Sequence, residues 1–257
     1  MSETVQGLPP ELVVDGHIAV ITLRRPEVAN RLEPEDLDLL RQYLETINAD
    51  DQVRVLRIEG QGRHFCSGFN IGRLDGADAA GVRFEALANA LEQARPVTIA
   101  VLHGGVYGGA TDLALACDFR FGAAGAEMTV PAARLGLLFY RGGQERYVTR
   151  LGLATAKRIL LMADKFDATA MLSCGYLDRL EDSQPALRTL VGRTSENLAA
   201  MAPLALLGMK KHLNRIARDE LDATELARDI AMADASEDLR EGALAWRERR
   251  APRFKGR

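Results

Sequence analysis

The chain of 257 residues is poor in the residues from which metal and disulfide sites are built. Its three cysteines, Cys66, Cys117 and Cys174, are scattered and lack the CxxC spacing of a zinc or redox motif. The sequence has no HExxH pair, no cluster of histidine with cysteine and no Asp-rich loop, so no metal is expected. Isolated thiols favour a reducing compartment, and we predict a cytoplasmic protein.

Long apolar runs and a surplus of basic residues are missing as well. No apolar stretch is long enough to cross a bilayer, and the N-terminal MSETVQGLPPEL is too polar for a secretory signal. A formal net charge of -3 provides no attraction for nucleic acid or for an anionic membrane, so neither is expected as a partner. The sequence lacks GxSxG, and GQGRHF falls short of GxGxxG, which argues against a serine nucleophile and a dinucleotide site.

The apolar residues that are present follow strand and helix periods in alternation. The predicted strands are 11–24 (a hairpin turning at Asp15-Gly16), 53–60, 96–104, 119–123 and 126–130. The predicted helices are 34–48, 83–94, 111–118 and 144–163, and 61–82 is glycine-rich and irregular. Alternation of this kind predicts parallel βαβ units, and we therefore expect an α/β core over residues 1–190. Residues 191–257 show helical patterns almost throughout and predict a helical C-terminal region.

Two glycine-rich breaks follow consecutive predicted strands. Gly108 and Gly109 stand at the start of the helix that carries Asp112, where unpaired N–H groups and the helix dipole favour a phosphate or an oxyanion. The break FCSGFN offers a second N–H near Phe69. Because the carboxyl ends of parallel strands meet at one edge of a sheet, both amides are able to converge on one carbonyl oxygen. The alternative is a pair of tight packing turns without a ligand.

Five segments of the chain carry a recognisable family pattern. They are ITLRRPEVAN, VRVLRIEGQGRHFCSGFNI, RPVTIAVLHGGVYGGATDLALACDFRFG, RLGLLFYRGGQERYVTRLG and EGALAWRERRAPRFKGR. In this order and spacing they resemble the crotonase (enoyl-CoA hydratase/isomerase) superfamily over nearly the whole chain. The resemblance implies an α/β spiral of ββα turns, with a helical C-terminal region that drives trimers or dimers of trimers. It also implies an acyl-CoA thioester substrate, or sometimes a carrier-bound thioester, with coenzyme A as part of the substrate and no separate cofactor.

The resemblance also assigns roles to residues of this sequence. The N–H groups of Phe69 and Gly109 correspond to the oxyanion hole that stabilises a thioester enolate. The loop lining the CoA side of the pocket is formed by Phe69, Asn70, Ile71 and Gly72. Trp246 and Arg249 correspond to an aromatic residue and a base that reach the CoA of a neighbouring subunit; the alternative is an ordinary aromatic residue packed in a charged tail.

The sequence departs from the hydratase pattern at both catalytic glutamates. Asp112 stands where the family has the first, and Ala132 follows Pro131 where the family has the second. Alanine cannot transfer a proton, so isomerisation, decarboxylation or C–C cleavage is as plausible as hydration. Asp112 is expected to be the acid or base, although an acid at a helix start also serves as a cap.

Tyr140 is the best local substitute for the missing glutamate. It lies where some isomerases and dehalogenases of the family carry an aspartate, and either donates a proton or only shapes the pocket. Glu145 and Arg141 are nearby polar alternatives, more typical of a solvated surface. The same departures leave open a second kind of function: a catalytically weak homologue that binds acyl-CoA or an acyl-carrier protein.

Overall fold

The computed structural model describes residues 7–70 and 77–257, and for 77–80 the backbone alone. Its larger sheet has the order β1-β2-β3-β4-β6-β9. The strands of this sheet are β1 (Glu11–Asp15), β2 (Ile18–Leu23), β3 (Val55–Gly60), β4 (Val97–Leu102), β6 (Phe119–Ala123) and β9 (Arg179–Glu181). β1 and β2 form an antiparallel hairpin, and every later pairing in this sheet is parallel. A smaller sheet combines β5 (Gly105–Tyr107), β7 (Glu127–Thr129) and β8 (Phe166–Asp167).

Helices connect the strands, and a further series of helices follows β9. In the core they are α1 (Pro34–Ala49), α2 (Ala77–Glu92), α3 (Gly109–Ala116), α4 (Arg141–Lys157) and α5 (Ala168–Ser173). The following helices are α6 (Gln184–Ala199), α7 (Pro203–Ala217), α8 (Ala223–Asp234) and α9 (Glu237–Glu248). Ser183, Asp222 and Ser236 accept hydrogen bonds from the first-turn amides of α6, α8 and α9, so polar caps fix where these helices begin.

The larger sheet buries apolar residues on both faces. One face packs against the apolar stripes of α1, α2 and α3, in a cluster that includes Leu37, Leu56 and Leu113. The opposite face packs against α6, where Leu187 meets the strand residues of a second cluster. β4 is buried along its entire length, as expected for a central parallel strand covered on both sides.

The mixed α/β architecture is therefore confirmed, and several element boundaries match the sequence patterns closely. The hairpin turns at Gly16, which has a φ of +55°, and the strand predicted at 119–123 has those bounds. α2 begins at Ala77 instead of at 83, because an alanine-rich segment extends the helix through a single glycine. The helix predicted over 144–163 is broken at Gly152, which has a φ of +77° and a ψ of 156°, and its last turn is a π-helix over Arg158–Met162.

The predicted division at residue 190 falls inside α6, and it stays a prediction. Within residues 7–70 and 77–257, no helix combines the length and the apolar character needed to span a membrane.

Candidate active site

The two glycine-rich loops run side by side at the carboxyl ends of β3 and β4. Cys66 pairs with Val106 in an isolated parallel bridge, and the N–H of Tyr107 donates to the carbonyl of Cys66 at 3.0 Å. Cys66 and Val106 are forty positions apart in the sequence, and so are Phe69 and Gly109. The loops are therefore joined by backbone hydrogen bonds just before the two residues that the sequence singled out.

Close contact between the loops depends on Gly68. This residue has a φ of +89°, and a Cβ added there would lie 2.9 Å from the carbonyl oxygen of Tyr107 and 3.1 Å from the nitrogen of Gly109. A side chain at this position would force the two backbones apart. Glycine is thus required both by the left-handed conformation and by the close approach.

The amides of Phe69 and Gly109 are donors without acceptors. In the part of the chain that the structure describes, neither N–H makes a hydrogen bond. Both residues are partly exposed, whereas most residues of the surrounding loops and of α3 are buried. Gly109 is the first residue of α3, so the positive end of that helix lies at its N–H. Two unpaired, partly exposed donors on adjoining loops are suited to an oxygen that carries negative charge.

Aromatic rings pack at and near Gly109. A Cβ added to Gly109 would lie 2.8 Å from Cζ of Phe84, so the ring of this α2 residue packs directly on the glycine. Tyr140 stacks on Phe139 with ring centroids 4.8 Å apart and lies 6.1 Å from Phe84. The surroundings of Gly109 are therefore largely apolar, which strengthens electrostatic interactions made there.

Asp112 lies one turn into α3 and is fully enclosed. Arg146 of α4 binds both carboxylate oxygens, with Nε 2.9 Å from Oδ1 and Nη2 2.6 Å from Oδ2. The hydroxyl of Tyr140 donates to Oδ2 at 2.7 Å. Neither Asp112 nor Arg146 exposes any side-chain surface. Asp112 is thus a buried ion-pair partner, and no side-chain cap hydrogen bond is formed at the start of α3.

Tyr140 immediately precedes α4 and is the outer member of this pair. Its residue surface is partly exposed, whereas the carboxylate it binds is not. Burial, and then the negative charge and hydrogen bond of Asp112, raise the pKa of Tyr140 well above its usual value of 10.0. Its hydroxyl therefore stays protonated and donates to the carboxylate across the physiological range.

The match to known proteins extends over this whole arrangement. The enoyl-CoA hydratase/isomerase family model matches residues 14–257. The chain belongs to this family. It is 28% identical to the (E)-benzylidenesuccinyl-CoA hydratase of Thauera aromatica over 97% of this chain and 100% of that one. It is 26% identical to the peroxisomal Delta(3,5)-Delta(2,4)-dienoyl-CoA isomerase of Arabidopsis thaliana, covering 93% of each.

The solved structure of Pseudomonas aeruginosa DspI is 30% identical and superposes with a TM-score of 0.88, covering 99% of both chains. The predicted family and fold are thereby confirmed.

Position 132 of this family member is an alanine and provides no carboxylate. Strand β7 ends at Thr129, whose carbonyl accepts the N–H of Gly108 at 3.0 Å. Pro131 and Ala132 therefore leave the sheet beside the glycine pair, and Ala132 begins a 3₁₀ turn packed against the core. The position lies next to the loops but carries only a methyl group.

Of the loop residues predicted to line the CoA side of the pocket, Asn70 is described by the structure and the two that follow it are not. Asn70 is buried, and its side-chain amide donates to both carboxylate oxygens of Glu33 at 3.2 Å and 3.0 Å. This contact holds the loop against the start of α1, so the Asn70 side chain has a structural role. Ile71 and Gly72 lie outside the described residues.

The C-terminal residues Trp246 and Arg249 lie on and just after α9. Trp246 is 86% exposed, and Arg249 is exposed with a φ of +55° that ends the helix. Such exposure does not fit the alternative of an aromatic residue packed within its own chain. Their assignment to a neighbouring subunit's CoA stays a prediction.

The histidines near the site have supporting positions. Nε2 of His103 lies 3.0 Å from the carbonyl of Gly62, so this side chain holds loop backbone. His64 lies against Tyr107 with ring centroids 5.8 Å apart. In the described ranges no group of three or more histidine, cysteine or acidic side chains is arranged to hold a metal ion.

Two residues of the site were not singled out by the sequence patterns: Arg146 and Phe84. Arg146 shares the buried stripe of α4 with Gly142, Gly143 and Tyr147, at helical spacing. A charged residue on an otherwise buried stripe signals a buried partner, and this was the available clue. The contact of Phe84 with Gly109 depends on tertiary packing and has no local signature.

Proposed function

We propose that this chain is an acyl-CoA thioester enzyme in which the N–H groups of Phe69 and Gly109 bind the thioester carbonyl oxygen. The observation that carries the proposal is the pair of unpaired amides on two loops held together by backbone hydrogen bonds. As an enolate forms, negative charge grows on this oxygen, and each donor stabilises it by about 3 kcal/mol on the usual mutational scale. The relatives named as hydratase and isomerase act on CoA thioesters, in line with this assignment.

Proton exchange at Cα or Cβ of the acyl group is assigned to the pair of Tyr140 and Asp112. The substrate C–H proton passes to the Tyr140 oxygen as the Tyr140 O–H proton passes to Oδ2 of Asp112, and the reverse transfer returns a proton to the enolate. Tyr140 is the partly exposed member and Asp112 the enclosed one, which supports Tyr140 as the group that meets the ligand in this proposal. Hydration needs a second acid-base group to handle water, and Ala132 cannot supply it. Isomerisation, decarboxylation and C–C cleavage need enolate stabilisation and at most one such group, and they fit this site better.

The test is a panel of enoyl-, β-keto- and malonyl-type CoA thioesters with the unaltered protein and Asp112→Asn. Turnover of one class with a large loss in Asp112→Asn supports the proposal. A conjugated enoyl thioester provides a second measurement, because its absorbance moves to the red when its carbonyl is polarised. No turnover of any thioester, no red shift, and identical behaviour of Asp112→Asn would refute it.

A second candidate function is binding of acyl-CoA or an acylated carrier protein without efficient catalysis. Two observations favour it: Ala132 lacks a carboxylate, and both oxygens of Asp112 are already occupied by Arg146. This function predicts saturable thioester binding, with a red shift but no product. With either function we propose assembly into trimers or dimers of trimers, since the Trp246 side chain is exposed on the protomer surface.

A further inference from the structure

Asp112 belongs to a buried cluster of charges that extends away from the glycine loops. Arg146 uses its remaining nitrogen, Nη1, to reach Glu92 of α2 at 3.2 Å. Glu92 also accepts from Nη2 of Arg150 at 3.1 Å and from Nε of Arg218 at 3.0 Å. Residues from α2, α3 and α4 and Arg218, which directly follows α7, therefore meet in one connected network.

The cluster holds an excess of cations even when Asp112 is ionised. Arg218 also binds Glu145, which pairs in turn with Arg141, so four guanidinium groups, at positions 141, 146, 150 and 218, face three carboxylates, at positions 92, 112 and 145. Arg146 is the fully enclosed cation of these four, and Asp112 binds it through both oxygens. Uncompensated buried charge is strongly unfavourable, so Arg146 requires a carboxylate at this position.

The neighbouring titratable groups do not change this pairing. Tyr147 of α4 shares a hydrogen bond of 2.5 Å with the hydroxyl of Thr111, not with Asp112. Burial raises its pKa above the usual value, so it stays neutral. For Arg146, burial alone lowers the pKa, but the hydrogen bonds and charge of Asp112 and the charge of Glu92 raise it above its usual value.

We propose that Arg146 is a positioning residue that holds Asp112 as a carboxylate in one orientation, so that Asp112 acts on the ligand only through the Tyr140 hydroxyl. The fork of Arg146 fixes the plane of the carboxylate, because a bidentate guanidinium pairs with both oxygens at once. Oδ2 is then directed at Tyr140. The assignment rests on the proposed function in one respect, namely that Tyr140 borders the acyl group.

The experiment compares the unaltered protein with Arg146→Met, Arg146→Lys and the double variant Arg146→Met/Asp112→Asn. Arg150→Met is the matched control, since it removes a guanidinium from the same cluster but none of the hydrogen bonds to Asp112. Two quantities are measured from about pH 9 to about pH 5, the range in which a carboxyl freed from its cation but still buried titrates. They are kcat/KM on whichever thioester is turned over, and the midpoint of thermal unfolding.

Loss of the cation raises the pKa of a buried carboxyl, so Arg146→Met is expected to acquire an acid limb. Its kcat/KM falls by about tenfold for each pH unit below the new pKa. The raised pKa also means that protonation favours the folded state, so the gap in melting temperature from the unaltered protein narrows as the pH falls. Arg146→Lys restores part of the charge without the fork and gives a weaker acid limb. The double variant and Arg150→Met show neither effect.

A different pattern overturns the inference. If Arg146→Met keeps the pH profile of the unaltered protein and lowers the melting temperature equally at every pH, Arg146 is only a structural residue. Should Arg146→Met fail to fold while the double variant folds, the unpaired Asp112 charge is the cause, which supports the inference. If Arg146→Met and the double variant both fail to fold, and Arg146→Lys has the same pH profile as the unaltered protein, the inference is contradicted. Absence of turnover on all thioesters refutes the proposed function, whereas the melting temperatures still decide the role of Arg146.

Discussion

Replacing Gly68 with alanine tests whether the two loops approach as closely as the structure indicates. The new methyl group would lie 2.9 Å from the carbonyl oxygen of Tyr107 and 3.1 Å from the nitrogen of Gly109. Both atoms belong to the backbone, so neither is able to rotate away as a side chain would. Gly68 also has a φ of +89°, which penalises any side chain.

The structure also provides a control that separates these two effects. Gly16 has a φ of +55°, and a Cβ added there meets nothing within 4 Å. Gly16→Ala is therefore expected to cost only the left-handed penalty of about 1–2 kcal/mol. Gly68→Ala adds an overpacking cost of about 1–3 kcal/mol, for a total of about 2–5 kcal/mol. In a chain of this size each kcal/mol lowers the melting temperature by about 2–4 °C.

The two variants are compared by thermal unfolding and by the red shift of a bound conjugated enoyl thioester. Gly68→Ala is expected to unfold at the lower temperature and to lose about 10²–10³-fold in turnover, because one donor is displaced. Gly16→Ala keeps both the red shift and the turnover. Equal stability of the two variants, together with an undiminished red shift in Gly68→Ala, would refute the close approach and the shared oxygen site.

Three further outcomes follow from the site. Tyr140→Phe removes the hydroxyl from the ligand side of Asp112 and is expected to lower turnover by at least about tenfold with the red shift retained; unchanged turnover would make Tyr140 a packing residue. Ala132→Glu returns a carboxylate beside the glycine pair and is expected to raise water addition to a short enoyl-CoA, and no gain would contradict the account of the missing glutamate. Cys66 and Cys117 are buried, and burial raises the pKa of each thiol to about 12. A thiol reagent at about pH 8 is therefore expected to leave both unmodified until the chain unfolds. Rapid labelling of the native protein would contradict their burial.

Trp246→Ala tests assembly. The side chain is 86% exposed in the protomer, so the variant is expected to keep its melting temperature at low protein concentration but to weaken the predicted trimer in sedimentation. A chain that sediments only as a monomer before the substitution would contradict a shared CoA site.

Local patterns were sufficient for the glycine loops but not for the partners of Asp112. The positions of Phe69 and Gly109 follow from consecutive parallel strands, whose carboxyl ends must lie at one edge of the sheet. The ion pair with Arg146 joins residues thirty-four positions apart, on two helices that pack only in the folded chain. A carboxylate that looked like a free acid in the sequence is therefore a buried partner of a cation.

The boundaries that were wrong have an equally physical cause. Gly81 does not stop α2, because one glycine in an alanine-rich helix costs only about 1 kcal/mol and packing compensates for it. Gly152 does interrupt the helical segment after β7, because there the backbone takes up a left-handed φ of +77°. A glycine in a helical pattern thus permits either outcome, and the surrounding contacts decide which one occurs.

The bridge between Cys66 and Val106 has a consequence for how this region of the gene is able to change. The bridge lies three residues before each donor, so the distance between the two donors is set by strand register and not by the flexibility of either loop. One residue gained or lost between positions 66 and 69 would advance one amide by about 3.3 Å relative to its counterpart, roughly the length of a hydrogen bond. The number of residues in this stretch is therefore as restricted as the glycine at position 68.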